Sequence, residues 1–278
     1  MSFKTIVAHC DGNRSAAPRL ALAADLAERF GAVLVGVQAK PPFQSPFYAE
    51  SGFDMGPLFE SYEKETEAAK VKARAVFDQA VKGRRLTSEW RALEGIADEM
   101  LTLCARYADL VVVSQSDPEG DWMTPADLPE SVALASGKPV LVVPRVGIVK
   151  PVGNNVMLCW NASRESARAA TDALPFLTAA KRVTILIVEP RSSNEGHGAE
   201  PGADVAAWLA RHGVKVTVQR EVASDEDAGK VIKSRAADYD ADLIAMGIYG
   251  HSRLRETVLG GVSSTMLSTS TVPILMSH

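Results

Sequence analysis

Short, unbroken apolar runs alternate with Ala-rich amphipathic stretches along the chain, and the same succession of blocks occurs twice. TIVAH (Thr5–His9) leads through the polar CDGNRS into the amphipathic stretch Ala16–Phe30. NVMLC (Asn155–Cys159) leads through WNASRES into Ser166–Ala180. AVLVGV (Ala32–Val37) is answered by RVTILIV (Arg182–Val188), and ADLVVVSQ (Ala108–Gln115) by ADLIAMGI (Ala241–Ile248). KPVLVVP (Lys138–Pro144) is answered by VPILMSH (Val272–His278). One order of elements met twice is a tandem duplication, with a linker over Arg145–Pro151 that contains Gly147 and Pro151.

In the second half the pattern predicts strands over 154–159, 182–188, 214–220, 241–247 and 272–276, with helices over 163–179, 202–212, 226–239 and 261–269. The central runs are rich in Val, Ile and Leu without polar alternation, as in strands covered by helices on both faces. Gly31 and Gly213 stand where helices stop. Pro18 fits only a first helical turn, so the first helix starts near Ser15 or Ala16. Alternating strands and helices imply right-handed crossovers and a parallel, doubly wound sheet. The expected fold class is therefore α/β, with two tandem doubly wound, Rossmann-like parallel-sheet domains, at 1–147 and 148–278. Ligands of such sheets bind beyond the carboxyl ends of the strands, at the switch point. The halves differ after their second strands. Lys40–Glu60 is a long loop rich in Pro, Gly and aromatics, either a lid or interface or a surface loop that tucks in its own Phe residues. Glu189–Gly202 is polar.

Composition narrows the partners. The chain has 278 residues, 46% hydrophobic and 23% charged, with net charge -4. That suits a soluble protein of two domains and argues against a nucleic-acid binder or a membrane-surface protein, which need a basic face. No run is long enough to span a bilayer, and the first residues do not form a signal peptide. Cys10, Cys104 and Cys159 sit in apolar segments without metal-like spacing and read as small buried residues in a reducing, cytoplasmic setting. The histidines show no metal-ligand spacing, no G-x-S-x-G elbow is present, and no catalytic residue is assigned.

The candidate chemistry lies between Met246 and Ser263. Gly247 and Gly250 follow a predicted strand and allow a sharp turn and close approach to a ligand. Gly260 and Gly261 precede a predicted helix and leave its first N–H groups, with Val262 and the Ser263 hydroxyl, open to an anion. His251, Arg253, Arg255 and Glu256 lie inside the loop, and the two arginines could reach phosphates. Asp11 and Asn161 fall at matching places after the first strand of each half, where a carboxylate or amide oxygen could accept from a ribose hydroxyl or an adenine amino group. Helix capping explains them as well.

With these residues the whole chain resembles a tandem member of the universal stress protein family, a fold of the adenine nucleotide alpha hydrolase type. The family's ATP-binding members carry G-x-x-G, nine residues, then G-S/T after the fourth strand. Gly247-x-x-Gly250, nine residues, Gly260 matches, with Gly261 in place of the Ser or Thr. The Met246-Gly247 start also matches, and the resemblance implies that Val188 lines an adenine pocket and that Asn161 replaces the family's Asp. It implies a stress-response protein that binds an adenine nucleotide in its second half, ATP or alternatively AMP or ADP, with any magnesium arriving with the nucleotide. It implies a switch or scaffold with at most slow hydrolysis. It also implies that the dimer contact of single-domain members is made within this chain, Val140–Val143 beside Ile274–Met276, with further homodimerisation open. The first half departs from the pattern. After ADLVVV no G-x-x-G follows, and Asp117, Glu119 and Asp121 bring charge that would repel phosphates. The alternative is a nucleotide-free scaffold that binds protein partners or an apolar ligand.

Overall fold

The computed structural model describes residues 2–44, 54–117, 120–146, 151–190, 200–223, 225–248 and 261–278. The first half runs β1 (Thr5–His9), α1 (Ala16–Phe30), β2 (Val33–Lys40), α2 (Gly56–Val81), β3 (Thr87–Glu94), α3 (Ala97–Ala105), β4 (Leu110–Ser114), α4 (Leu128–Ala135), β5 (Val140–Val143). The second runs β6 (Asn155–Cys159), α5 (Arg164–Asp172), α6 (Leu174–Leu177), β7 (Arg182–Pro190), α7 (Ala203–Arg211), β8 (Val216–Ala223), α8 (Asp225–Asp238), β9 (Leu243–Gly247), α9 (Gly261–Thr269), β10 (Ile274–Ser277). Every strand foreseen in the second half is present. The single helix foreseen over 163–179 is two, because Pro175 has no N–H to continue the ladder and instead opens α6. The Lys40–Glu60 loop is shorter than the sequence suggests, since Pro57 opens α2 one residue after Gly56. Residues 45–53 of it, and 191–199 of the polar connection in the second half, lie outside the described residues.

Among the described residues the ten strands form one sheet in the order β3-β2-β1-β4-β5-β10-β9-β6-β7-β8. Every neighbouring pair is parallel except β5 and β10, which run antiparallel with Ile274 opposite Val142, Leu275 opposite Leu141 and Met276 opposite Val140. That is the contact expected within one chain, and it joins the two halves edge to edge. Successive side chains along a strand face opposite ways. Ile6, Ala8, Leu110 and Val112 therefore pack on one face with Leu20, Phe77, Leu174 and Phe176. Val7, Val111 and Val113 pack on the other with Leu101, Val132, Ile232 and Met266. Below the seam Phe3, Phe30 and Phe176 stack across the halves with ring centroids 5.1 to 5.5 Å apart.

The repeated Ala-Asp-Leu tripeptide has one structural job in both halves. Asp109 accepts from the backbone N–H groups of Lys4 and Thr5 at 2.7 and 3.0 Å. Asp242 accepts from those of Gly153, Asn154 and Asn155. Each carboxylate ties the start of a half's first strand to its fourth, and so fixes the two strands whose far ends form the switch point.

Candidate functional site

Because β9, β6 and β7 are adjacent and parallel, their carboxyl ends bring Gly247, Asn161 and Val188 to one edge of the sheet. α9 returns toward β10, so its first turn, from Gly261, opens at the same edge. Asn161 is exposed, and its Oδ1 accepts from the Ser163 N–H at 3.2 Å, an Asx turn. Ala162 is held in the left-handed region at φ 58, uncommon for a residue with a Cβ. Ser163 then caps α5, its hydroxyl accepting from the Ser166 N–H at 3.1 Å. Val188 is half-buried against the core, Met246 is buried, and Val262 and Ser263 are half-buried and buried. Gly250 and Gly260 lie outside the described residues, with His251, Arg253, Arg255 and Glu256 between them.

The two helix N-termini at this edge differ. α5 is satisfied by its own side chains: besides the Ser163 cap, Glu165 lies in its first turn. Burial pushes the Glu165 carboxyl up, but hydrogen bonds from its own N–H and from Ser163, with the charge of Arg164, outweigh this and hold it low. α9 has no acidic residue in its first turn, and a Cβ built on Gly261 would meet none of the described residues within 4 Å. Within its own first turn the positive end of α9 thus meets no carboxylate, in contrast to α5. Gly247 is a different case from the sequence reading. A Cβ there would lie 2.4 Å from the carbonyl carbon of Glu165 and 2.6 Å from the nitrogen of Ser166. The close approach that demands glycine is made by α5 of the chain itself.

The duplicate cleft in the first half serves as an internal reference. The matched registers set His9 against Cys159, Asp11 against Asn161, Arg19 against Ala169, Ser114 against Gly247 and Gln115 against Ile248. Arg19 is 1% exposed. Its guanidinium donates to the His9 carbonyl at 2.9 Å, the Ser114 hydroxyl at 2.7 Å and the Asp11 carboxylate at 2.9 Å. Burial opposes ionisation of Asp11, yet the charges of Arg19 and His9 and the bonds from Arg19 and the Asn13 N–H hold it down to about 2. Burial lowers His9 to about 4, so it is neutral at pH 7. About 20 Å³ of cavity remains beside this cluster, room for a water and not for a nucleotide.

The first half therefore closes its cleft by a route the acidic segment did not suggest. Asp117 is paired with Arg145 at 2.8 Å and Arg14 at 3.5 Å, and Glu119 lies outside the described residues. The plug is Arg19, a cation where the second half has Ala169. The clue was present in the aligned halves, where arginine faces alanine on the buried side of the first helix.

Cys10 and Cys104 are buried and Cys159 is half-buried. Burial pushes the Cys10 thiol up, and that of Cys159 up to about 12, so neither is a reactive thiolate. Among the described residues no three His, Cys, Asp or Glu side chains come together as metal ligands, and no helix is long and apolar enough to cross a membrane.

Residues 154–278 match the model of the Universal stress protein family. Among solved structures, a universal stress protein from Archaeoglobus fulgidus DSM 4304 is similar over 98% of this chain and 95% of its own, with TM-score 0.71 and 15% identity. A functionally unknown protein from Pseudomonas aeruginosa PAO1 is similar over 99% of this chain and 92% of its own, with TM-score 0.62 and 13% identity. At these identities the likeness is one of fold. No curated protein matches the chain in sequence. Residues 154–278 thus form a domain of the universal stress protein family, and the first half of the chain repeats its fold.

Proposed function

We propose that the second half, taken as a domain over 148–278, binds an adenine nucleotide at the carboxyl edge of β9, β6 and β7, and that the first, over 1–147, does not. ATP is the nucleotide we test first. The observation that carries the reading is the contrast between the halves. One cleft is filled by Arg19, while the other has alanine at that place and a first turn of α9 without an acidic residue. In this reading the N–H groups of Gly261, Val262 and Ser263 and the Ser263 hydroxyl hold phosphate. Asn161 meets ribose or base, and Val188 and Met246 line the adenine. With no protein cluster of metal ligands among the described residues, a magnesium ion would come with the nucleotide. In this reading the protein is a cytoplasmic stress-response switch and not a dedicated hydrolase, the neutral Asn161 being unable to serve as a base.

Calorimetric titration of ATP and adenosine into the wild type and Gly261→Asp tests this. The introduced carboxylate stands in open space at the positive end of α9, so it spares the fold and opposes phosphate. ATP affinity is expected to fall about tenfold or more, with adenosine unaffected. Equal ATP affinity in both proteins would sink the site.

A second reading, a nucleotide-free scaffold for a partner or an apolar ligand, is favoured by an aromatic patch beside the first cleft. Phe43, Phe59, Tyr62 and Trp122 form a chain of ring contacts 5.2 to 6.1 Å apart, with Phe59 47% and Trp122 58% exposed. Mass spectrometry of gently purified protein separates the two readings: co-purifying adenine nucleotide supports the first, an apolar molecule the second.

A further inference from the structure

The halves end their last helices in the same serine turn. The Ser270 N–H donates to the Met266 carbonyl at 3.0 Å, and its hydroxyl donates to the Val272 carbonyl at 2.7 Å. The Ser136 N–H donates to the Val132 carbonyl at 3.0 Å, and its hydroxyl to the Lys138 carbonyl at 3.3 Å. The difference lies in what reaches across the seam. The Ser270 carbonyl accepts from Nε2 of Gln115, in the other half, at 2.8 Å. Gln115 is 8% exposed, and its Oε1 accepts from the Arg145 N–H at 3.0 Å. Its own N–H donates to the Val143 carbonyl at 2.9 Å, so backbone and side chain are both fixed. Its counterpart, Ile248, is fully buried and has no side-chain donor to offer α4.

We infer that Gln115 is a positioning residue for α9. From the first half it holds the carboxyl end of the helix whose amino end is proposed to meet phosphate, so the inference rests on the nucleotide reading for its functional consequence. A nine-residue helix is about 14 Å long and moves as a unit. Fixing Ser270 therefore sets the height of the N–H groups of Gly261, Val262 and Ser263 above the sheet edge. The anchor is directional. The half with the plugged cleft grips the helix of the half with the open one, and the return contact, Arg168 to the Gly137 carbonyl at 3.2 Å, is solvent-exposed. Gln115 also follows Ser114, which receives the Arg19 guanidinium, so the plug and the anchor share the end of β4.

The test uses the full-length chain and Gln115→Met, which keeps length and removes the donor. Arg168→Met, which removes an exposed cross-half bond, is the control. In ligand-free protein, hydrogen exchange of the α9 amides is expected to quicken about fivefold in Gln115→Met while α4 is unchanged. ATP affinity is expected to fall about fivefold with adenosine affinity constant. Arg168→Met should do neither. Unchanged α9 exchange, or a rise spread equally over both halves, overturns the positioning role whether or not ATP binds. Faster α9 exchange in a protein whose wild type binds no ATP upholds the anchor and defeats the nucleotide reading.

Discussion

Replacing His9 by cysteine, the residue that the second half carries as Cys159, is expected to flatten the acid limb of the stability profile. The His9 ring is buried 3.4 Å from Asp11, and the backbone carbonyl of His9 accepts from the Arg19 guanidinium. Burial is the main force lowering its pKa from 6.5 to about 4; Asp11 opposes this and Arg19 adds to it. A histidine lowered in the folded state takes up its proton first in the unfolded chain. Stability is then full above pH 6.5 and falls as the pH drops toward 4. At about 1.4 kcal/mol per pH unit the loss reaches about 3 kcal/mol at pH 4. Asp11 titrates below this window, since its contribution is present above the ordinary carboxylate range and is lost only as pH falls toward about 2. Urea unfolding of wild type and His9→Cys at intervals from pH 4.5 to 7.5 measures the difference. Each stability will also carry the cost of the changed volume, so the quantity to compare is the slope. Histidines common to both proteins, such as His212 and His278, cancel. The variant should lose up to about 1.4 kcal/mol less per pH unit between 6 and 4.5. Parallel profiles would refute the argument that His9 is buried and neutral.

Two further outcomes follow from the same cleft and its duplicate. Arg19→Met should cost about 3–5 kcal/mol by urea unfolding, because Asp11 is left as a buried charge without its partner, and adding Asp11→Asn should recover part of it; a cost under about 1 kcal/mol would mean that the pair is not held dry. Gly247→Ala should cost about 1–3 kcal/mol without any ligand, since its Cβ would overlap the α5 backbone and not a flexible side chain. Gly261→Ala, with open space around it, should change stability by less than about 0.5 kcal/mol, and equal costs at the two glycines would contradict the geometry.

The elements that the sequence disclosed are those governed by local periodicity. Unbroken apolar runs such as Leu243–Gly247 mark buried parallel strands, and the repeat of blocks places Val140–Val143 and Ile274–Met276 at equivalent ends of the two halves. What periodicity does not carry is who stands opposite whom. Arg19 falls on the buried face of a helix pattern, but the pattern says nothing of Asp11 and Ser114 converging on it from two other segments. Gly247 looked like room for a ligand, yet the room is taken by α5, because a glycine code does not distinguish which neighbour needs the space. Asp117 looked like a repulsive charge because its partners Arg14 and Arg145 are distant in sequence or beyond the strand that follows. Helix ends were legible only where Pro or Gly marks them, and Pro175 was read through as helix because the apolar spacing around it persists.

The antiparallel seam between β5 and β10 has a consequence for how this molecule can vary. In a symmetric pair of identical subunits a substitution appears on both sides of the contact at once, so whatever closes one cleft closes the other. When one chain supplies both sides, each side mutates alone. An arginine can fill the cleft of one half while the other half carries alanine at that place, and a glutamine can reach over the seam with no obligation to be met by its twin. Covalent linkage keeps the two sides in a fixed ratio and at high effective concentration, so neither has to retain a self-complementary surface. Fusion is what allows one copy of a fold to be spent on holding the other.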